Sequence, residues 1–257
     1  MYLSRLILDT KSRTVRRDLS DCHQLHRTVL SAFPDLGKKD MDARQQFEVL
    51  HRIDLSRSGT PILLIQSAEM PDWSKLPTGY LLDDSSLENP ACKSVDEQYG
   101  SIATGDIFTF RLRANPTKKV GTTGKFDLAA GKPKNNGTRV PLHGEEEQLR
   151  WLARKGTAGG FELLHVKVSS MLADPEAYKK HGPVPDTLAN DEGICTISYH
   201  GTQKAGEGKV NDISLASVLY EGRLHVTDSE LFMETLKKGI GSGKAYGFGL
   251  LSIARSA

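Results

Sequence analysis

The sequence predicts an α+β chain made of two tandem ferredoxin-like units, each with the order βαββαβ. Three observations carry this. With its insertions set aside, the second half reads β, α, β, β, α, β by periodicity, the split βαβ pattern. The first half opens in the same way, with an alternating segment, a helical one and a hairpin. The length of 257 residues suits two small domains, expected at residues 1–100 and 101–257. The halves share no strict sequence repeat.

Residues 2–8 alternate apolar and polar, the period of a half-buried strand. Residues 16–33 carry Leu19, Leu25, Val29 and Leu30 at helical spacing, with Ser20 or Asp21 placed to cap and Pro34 to terminate. Residues 47–54 alternate and residues 61–66 are an apolar run; the turn Ser56-Arg57-Ser58-Gly59 makes them a hairpin. Residues 70–101, rich in proline, aspartate and serine, read as loop with room for one weak element. A second cycle begins with a strand at 106–114, then a basic stretch, a helix at 145–155 and a strand at 161–168. Residues 171–192 read as a long polar excursion. Strands at 194–200 and 213–226, a helix at 229–238, a glycine loop and a strand at 248–253 complete the cycle.

A hydrophobic content of 38% supports a modest core. No apolar run approaches the roughly 20 residues that span a bilayer, so no membrane partner is expected. The opening residues alternate too regularly for a signal peptide. Cys22, Cys92 and Cys195 lie far apart with no CxxC pair, which argues against a disulfide frame or structural zinc and for a reducing cytoplasm. The net charge is only +2, but residues 111–139 hold Arg111, Arg113, Lys118, Lys119, Lys125, Lys132, Lys134 and Arg139 against one acid, Asp127. Such a local field attracts polyanions even on a nearly neutral protein. The plainer alternative is a solvated loop.

Eight histidines are scattered along the chain, and only His23 and His26 form a compact group. Three apart on a helix, they share one face, with Arg27 beside them and Arg16 and Arg17 upstream. Two imidazoles among guanidinium groups suit RNA strand scission. One group takes the proton of a ribose 2′-OH, that oxygen attacks the adjacent phosphorus, and an acid protonates the departing 5′ oxygen while cations stabilise the phosphoryl charge. The nucleophile is already in the substrate, so no metal is called for. The competing reading of His26 is a packing or capping histidine. An HxxH pair is a poor zinc site without a third ligand. No G-x-S-x-G elbow supports a serine nucleophile, and Glu145, Glu146 and Glu147 suit a helix start.

The glycine run from Gly239 through Gly241, Gly243, Lys244, Gly247 and Gly249 is the other singular feature. It fails the P-loop spacing, because Lys238 stands where a glycine is needed and Ala245 where Ser or Thr is needed. It also follows a helix and precedes a strand, the reverse of the dinucleotide fingerprint. No nucleotide cofactor is expected, and no other cofactor either. Close packing and contact of Gly241, Gly243 and Lys244 with an RNA backbone both remain open.

Three groups of segments resemble the CasE family of CRISPR-associated endoribonucleases. The first is Met1-Tyr2-Leu3-Ser4-Arg5-Leu6-Ile7-Leu8 with Arg17-Asp18-Leu19 and Gln24-Leu25-His26-Arg27. The second is Pro71-Asp72-Trp73 with Phe110-Arg111-Leu112-Arg113-Ala114-Asn115-Pro116-Thr117-Lys118. The third is Leu219-Tyr220-Glu221-Gly222-Arg223-Leu224 with the glycine run that ends at Ser252. They occur in family order over nearly the whole chain. The resemblance implies two ferredoxin-like, RRM-like domains of the RAMP type. It implies metal-independent cutting at the 3′ base of the stem-loop repeat in precursor CRISPR RNA. The ends would be a 2′,3′-cyclic phosphate and a 5′-hydroxyl, and the product would be retained within the Cascade complex with other subunits. A non-catalytic RAMP scaffold is the alternative. His26 matches the family's catalytic histidine. His23 stands where relatives often carry tyrosine, and the division of acid and base roles between the two stays open. A thin basic hairpin from the 111–139 region would reach phosphates along the stem.

Overall fold

The first alternating segment becomes strand β1 (Tyr2–Ile7) in a computed structural model that describes residues 1–35, 43–84, 86–120, 126–127, 132–133, 138–164, 187–200 and 210–255. The expected single helix at 16–33 is two helices, α1 (Arg13–Ser20) and α2 (Cys22–Leu30), which meet at Asp21. Asp21 has extended backbone and its carboxylate accepts from the amides of His23 and Gln24. It is therefore an N-cap for α2 and a stop for α1, which periodicity alone does not separate. A short helix α3 (Ala43–Gln46) leads to the hairpin β2 (Leu50–Leu55) and β3 (Pro61–Ser67). The proline-rich stretch holds a 3-10 turn at Trp73–Lys75, then strand β4 (Ala91–Ser94) and helix α4 (Asp96–Gly100).

The first sheet runs β2-β3-β1-β4, all antiparallel, the strand order of a ferredoxin-like unit. Where such a unit carries its second helix, the described residues hold only the Trp73–Lys75 turn. Pro71, Pro77 and Pro90 deny the stretch helical amides. Leu25 and Val29 of α2 are buried against Leu6, Leu8, Phe33, Phe47 and Ile65. Each contributes about 2 kcal/mol by area removed from water.

The second sheet is built from β5 (Ile107–Ala114), β10 (Phe161–Leu163), β11 (Thr187–His200), β12 (Val210–Val226) and β13 (Leu251–Arg255). Its order, β10-β12-β5-β13, repeats the topology of the first sheet, with β11 pairing on β12. Between β5 and α5 (Glu145–Ala158) rises the basic arm, with β6 (Thr117–Val120) paired to β9 (Thr138–Pro141) and β7 (Phe126–Asp127) to β8 (Lys132–Pro133). Helix α6 (Ser229–Lys238) is capped by Asp228, whose carboxylate accepts from the Leu231 amide.

Three boundaries differ from the sequence expectation. The strand at 161–168 is described only to Leu163, and residues 165–186 lie outside the described residues. The excursion expected to run to 192 instead ends by Thr187, where β11 begins. Leu188 and Ile194 are both exposed, so the large apolar residues of the described part of β11 do not announce a buried face. The last strand starts at Leu251 rather than 248, because Phe248 turns into a small apolar cluster with Leu215 between two glycines of positive φ.

The sheets are joined by buried polar groups. Arg52 of β2, 1% exposed, grips both Asp54 oxygens at 2.9 Å and donates Nη1 to the carbonyls of Arg111 and Leu250 at 3.1 Å. Gln66 donates to the Leu236 carbonyl at 2.7 Å and accepts from the Tyr99 hydroxyl at 3.0 Å. Arg113 donates to the Ile53 carbonyl and forks onto Glu192 at 2.7 and 2.8 Å. Glu192 is the extra residue of a bulge in β11, which aims its carboxylate at the joint.

Candidate active site and nucleic-acid interface

Helix α2 is held by more than its apolar face. Asp18 at the end of α1 is 1% exposed, and its carboxylate accepts from Thr28 at 2.6 Å, Tyr80 at 3.0 Å and the Arg17 guanidinium at 2.7 Å. Burial, and then the Asp18 charge, push the Tyr80 hydroxyl far above its usual range, so it stays a donor. Arg17 is thereby committed to an internal carboxylate. Arg16 donates to the carbonyls of Thr10 and Lys11, and Arg27 is exposed in the last turn of α2. His23 and His26 are both half-buried on α2.

The fold places around His26 what the sequence scatters. The imidazole of His51, from β2, lies with its centroid 6.3 Å from that of His26 and its plane 24° from parallel. His51 is fully buried. Burial, then the His26 and Arg44 charges, hold its pKa down to about 3, so it is neutral at physiological pH. The 3-10 turn Lys244–Tyr246 of the glycine loop packs on both α2 and β2. Lys244 is half-buried, and its Nζ donates to the Lys238 carbonyl at 2.5 Å, satisfying the open end of α6. Burial, then the charges of Arg44, Lys155 and Lys238, lower its pKa. Residues 26, 44, 51 and 244 thus form one electropositive neighbourhood. Arg44 and His51 escaped sequence reasoning, since neither belongs to a motif.

The glycine loop is first of all a packing device. A Cβ on Gly239 would stand 2.7 Å from the Gly249 carbonyl oxygen, and φ is +71° there. Gly241 and Gly243 have φ of +85° and +80°, against the Trp151 and Phe248 rings. Gly241 also borders a second feature, a groove of about 450 Å³. Its walls are Lys118, Lys119 and Arg139 from the β6–β9 arm and Arg154 and Lys155 from α5. Lys118 lies 3.6 Å from Glu147, and Lys119 stands across from Arg139 in the ladder. Arg154 and Lys155 were hidden as the basic end of an ordinary helix.

Arg111 and Arg113 sit apart from that groove, in the joint. Arg111 pairs with Glu221 at 2.5 Å and Asp54 at 3.6 Å. Burial alone would raise the Asp54 and Glu192 carboxyls, but their arginine partners hold both below the usual carboxylate range. Lys125 lies outside the described residues. No helix among the described residues is long and apolar enough to cross a membrane.

Neutralising the groove tests its affinity for polyanions. Lys119→Gln with Arg154→Gln is expected to weaken hairpin RNA binding roughly ten-fold and to flatten the salt dependence by about two units of slope, about one for each cation removed. Equal affinity and slope in a filter-binding titration would reduce the groove to solvated surface.

Comparison with known proteins places this geometry. A family model described as CRISPR associated protein matches residues 1–255. The chain is 33% identical over 99% of its length to the CRISPR-associated endoribonuclease Cse3 of Thermus thermophilus, all of which it covers. It is 30% identical over 99% of its length to the CRISPR system Cascade subunit CasE of Escherichia coli K12, covering 99% of that protein. A solved structure of the CRISPR endoribonuclease Cse3 bound to a 19-nucleotide RNA superposes with a TM-score of 0.70 at 30% identity, covering 99% of this chain and 100% of that one. With the doubled ferredoxin-like topology, these likenesses show that the chain belongs to the CasE family of CRISPR-associated proteins.

Proposed function

We propose that the protein is an endoribonuclease that binds the stem-loop repeat of precursor CRISPR RNA, cuts it at the 3′ base of the stem, and keeps the product as a Cascade subunit in the cytoplasm. The observation that carries this is His26, a half-buried imidazole on a rigidly held helix, beside the Arg44 and Lys244 neighbourhood. The first unit, residues 1–100, supplies that helix. The second, residues 101–257, supplies the arm and groove that hold the stem.

The chemistry follows from the donor set. A ribose 2′-OH at the cut attacks the neighbouring phosphorus, and its proton leaves to a base. The 5′ oxygen departs with a proton from an acid, giving a 2′,3′-cyclic phosphate and a 5′-hydroxyl. His26 transfers one of these protons. His23, three residues back on the same helix, is the candidate for the other or for holding the ribose. Nearby cations oppose the charge that builds on the phosphoryl oxygens.

The experiment is incubation of purified protein with a repeat hairpin in excess chelator. Cutting is expected to persist, with the cyclic-phosphate and hydroxyl ends read by mass spectrometry. Binding without scission, with or without added metal ions, would leave a guide-RNA scaffold. Scission that is lost in chelator and restored by metal ions would replace proton transfer between histidines with a metal-held nucleophile.

A further inference from the structure

The fold spends a histidine where an apolar side chain would be more stable. His51 is 0% exposed, and neither ring nitrogen has a hydrogen-bond partner among the described residues. A buried polar atom without a partner destabilises the folded state. Its neighbours on the strand are ordinary: His51 pairs with Ile65, and the adjacent Arg52 points to the other face, into the joint. Nothing in the packing of β2 asks for an imidazole. What sets the position apart is its ring partner, His26.

We propose that His51 is a positioning residue for the cleavage reaction, a buried ring that backs the His26 imidazole and fixes its plane. The inference rests on His26 being the reacting group. Gly247 lets the loop turn here. Its φ is +87°, a conformation that residues other than glycine rarely adopt, and it lies against the His51 ring, which a Cβ would meet at an ordinary 3.8 Å. The His51 ring is thus enclosed between α2 and the loop. Among the described residues, Arg44 from α3 acts on the His51 charge, and the turn that carries Lys244 and Tyr246 packs on both α2 and β2. His51 is uncharged at working pH and adds no repulsion when His26 becomes imidazolium. The buried His51 ring also keeps water from that side of His26.

The test compares His51→Ala, His51→Phe and His26→Ala in single-turnover cleavage of a repeat hairpin across the histidine titration range, with hairpin affinity and thermal melting measured alongside. His51→Ala is expected to cut about ten-fold more slowly through loss of orientation, with affinity unchanged. Water entering the space behind His26 should also move that residue's inflection in the pH–rate profile to higher pH. His51→Phe, which keeps a ring and removes two unpartnered nitrogens, should restore rate and inflection and melt no lower than the parent. A wild-type rate and inflection in His51→Ala overturns the proposal. So does a loss of rate matched by a loss of affinity, or a rate that His51→Phe fails to restore. Cutting by His26→Ala rejects the underlying reaction assignment, and a dead His26→Ala beside a normal His51→Ala rejects only the role of His51.

Discussion

His26→Ala is expected to abolish scission of a cognate repeat hairpin while leaving its binding intact. Removing a proton-transferring side chain typically slows such a step by about 10² to 10⁴-fold. The groove between the arm and α5 lies on the other unit of the fold and keeps its cations. The substitution also leaves the seat of α2 untouched, because Leu25, Val29 and the Asp18–Thr28–Tyr80 contacts carry it. A thermal melt close to the parent's is therefore part of the expectation. Undiminished single-turnover cutting would end the assignment. His23→Ala supplies the companion measurement. Loss of one limb of a bell-shaped pH–rate profile makes His23 the second proton carrier, and a slower rate with an unchanged profile confines it to positioning the ribose.

Arg52→Ala is expected to destabilise the protein by about 3 kcal/mol, near the lower end for breaking a buried ion pair from one side. Two backbone carbonyls, of Arg111 and Leu250, lose the Arg52 donor, and Asp54 is left with Arg111 at 3.6 Å and the more distant charge of Arg113. In a chain of this size that is a fall of roughly 10 °C in melting temperature. The Asp54 carboxyl sits below its ordinary value of 3.8 in the folded protein. The stability it contributes is present above that value and lost as pH falls through the lowered folded value. Without Arg52 the carboxyl rises, so acid unfolding of the variant should begin at higher pH. A melting temperature within 2 °C of the parent, tracked by circular dichroism, would show that Arg52 is incidental. Because β2 carries both Arg52 and His51, loosening the joint should also slow cleavage without changing groove affinity.

Much of the fold was legible because its signals are local. The strand at Tyr2–Ile7, the hairpin of β2 and β3, and helices α5 and α6 each carry a period of two or 3.6 with punctuation at the ends. The elbow at Asp21 was half legible: the cap residue was named, but continuous periodicity hid the break. Strand β11 was partly missed because the ladder to β12 holds it while its large apolar residues Leu188 and Ile194 stay exposed. His23 and His26 were visible as neighbours on one helix. The arginines at 111 and 113 stood out by their charge, but their pairing with Glu221, Asp54 and Glu192 in the joint is one that no spacing rule assigns to them.

Element type, the βαββαβ order of the second half and the like opening of the first, the charge surplus of residues 111–139 and the histidine pair follow from neighbours in the chain, since each rests on the geometry of one turn or one pleat. The meeting of His26 with His51, Arg44 and Lys244, and of Lys119 with Arg154, follows only from how two sheets and a glycine loop pack. That neighbourhood gathers residues from 18 to more than 200 positions apart. They are fixed by buried hydrogen bonds and side-chain volume, which act through space and leave no period in the sequence.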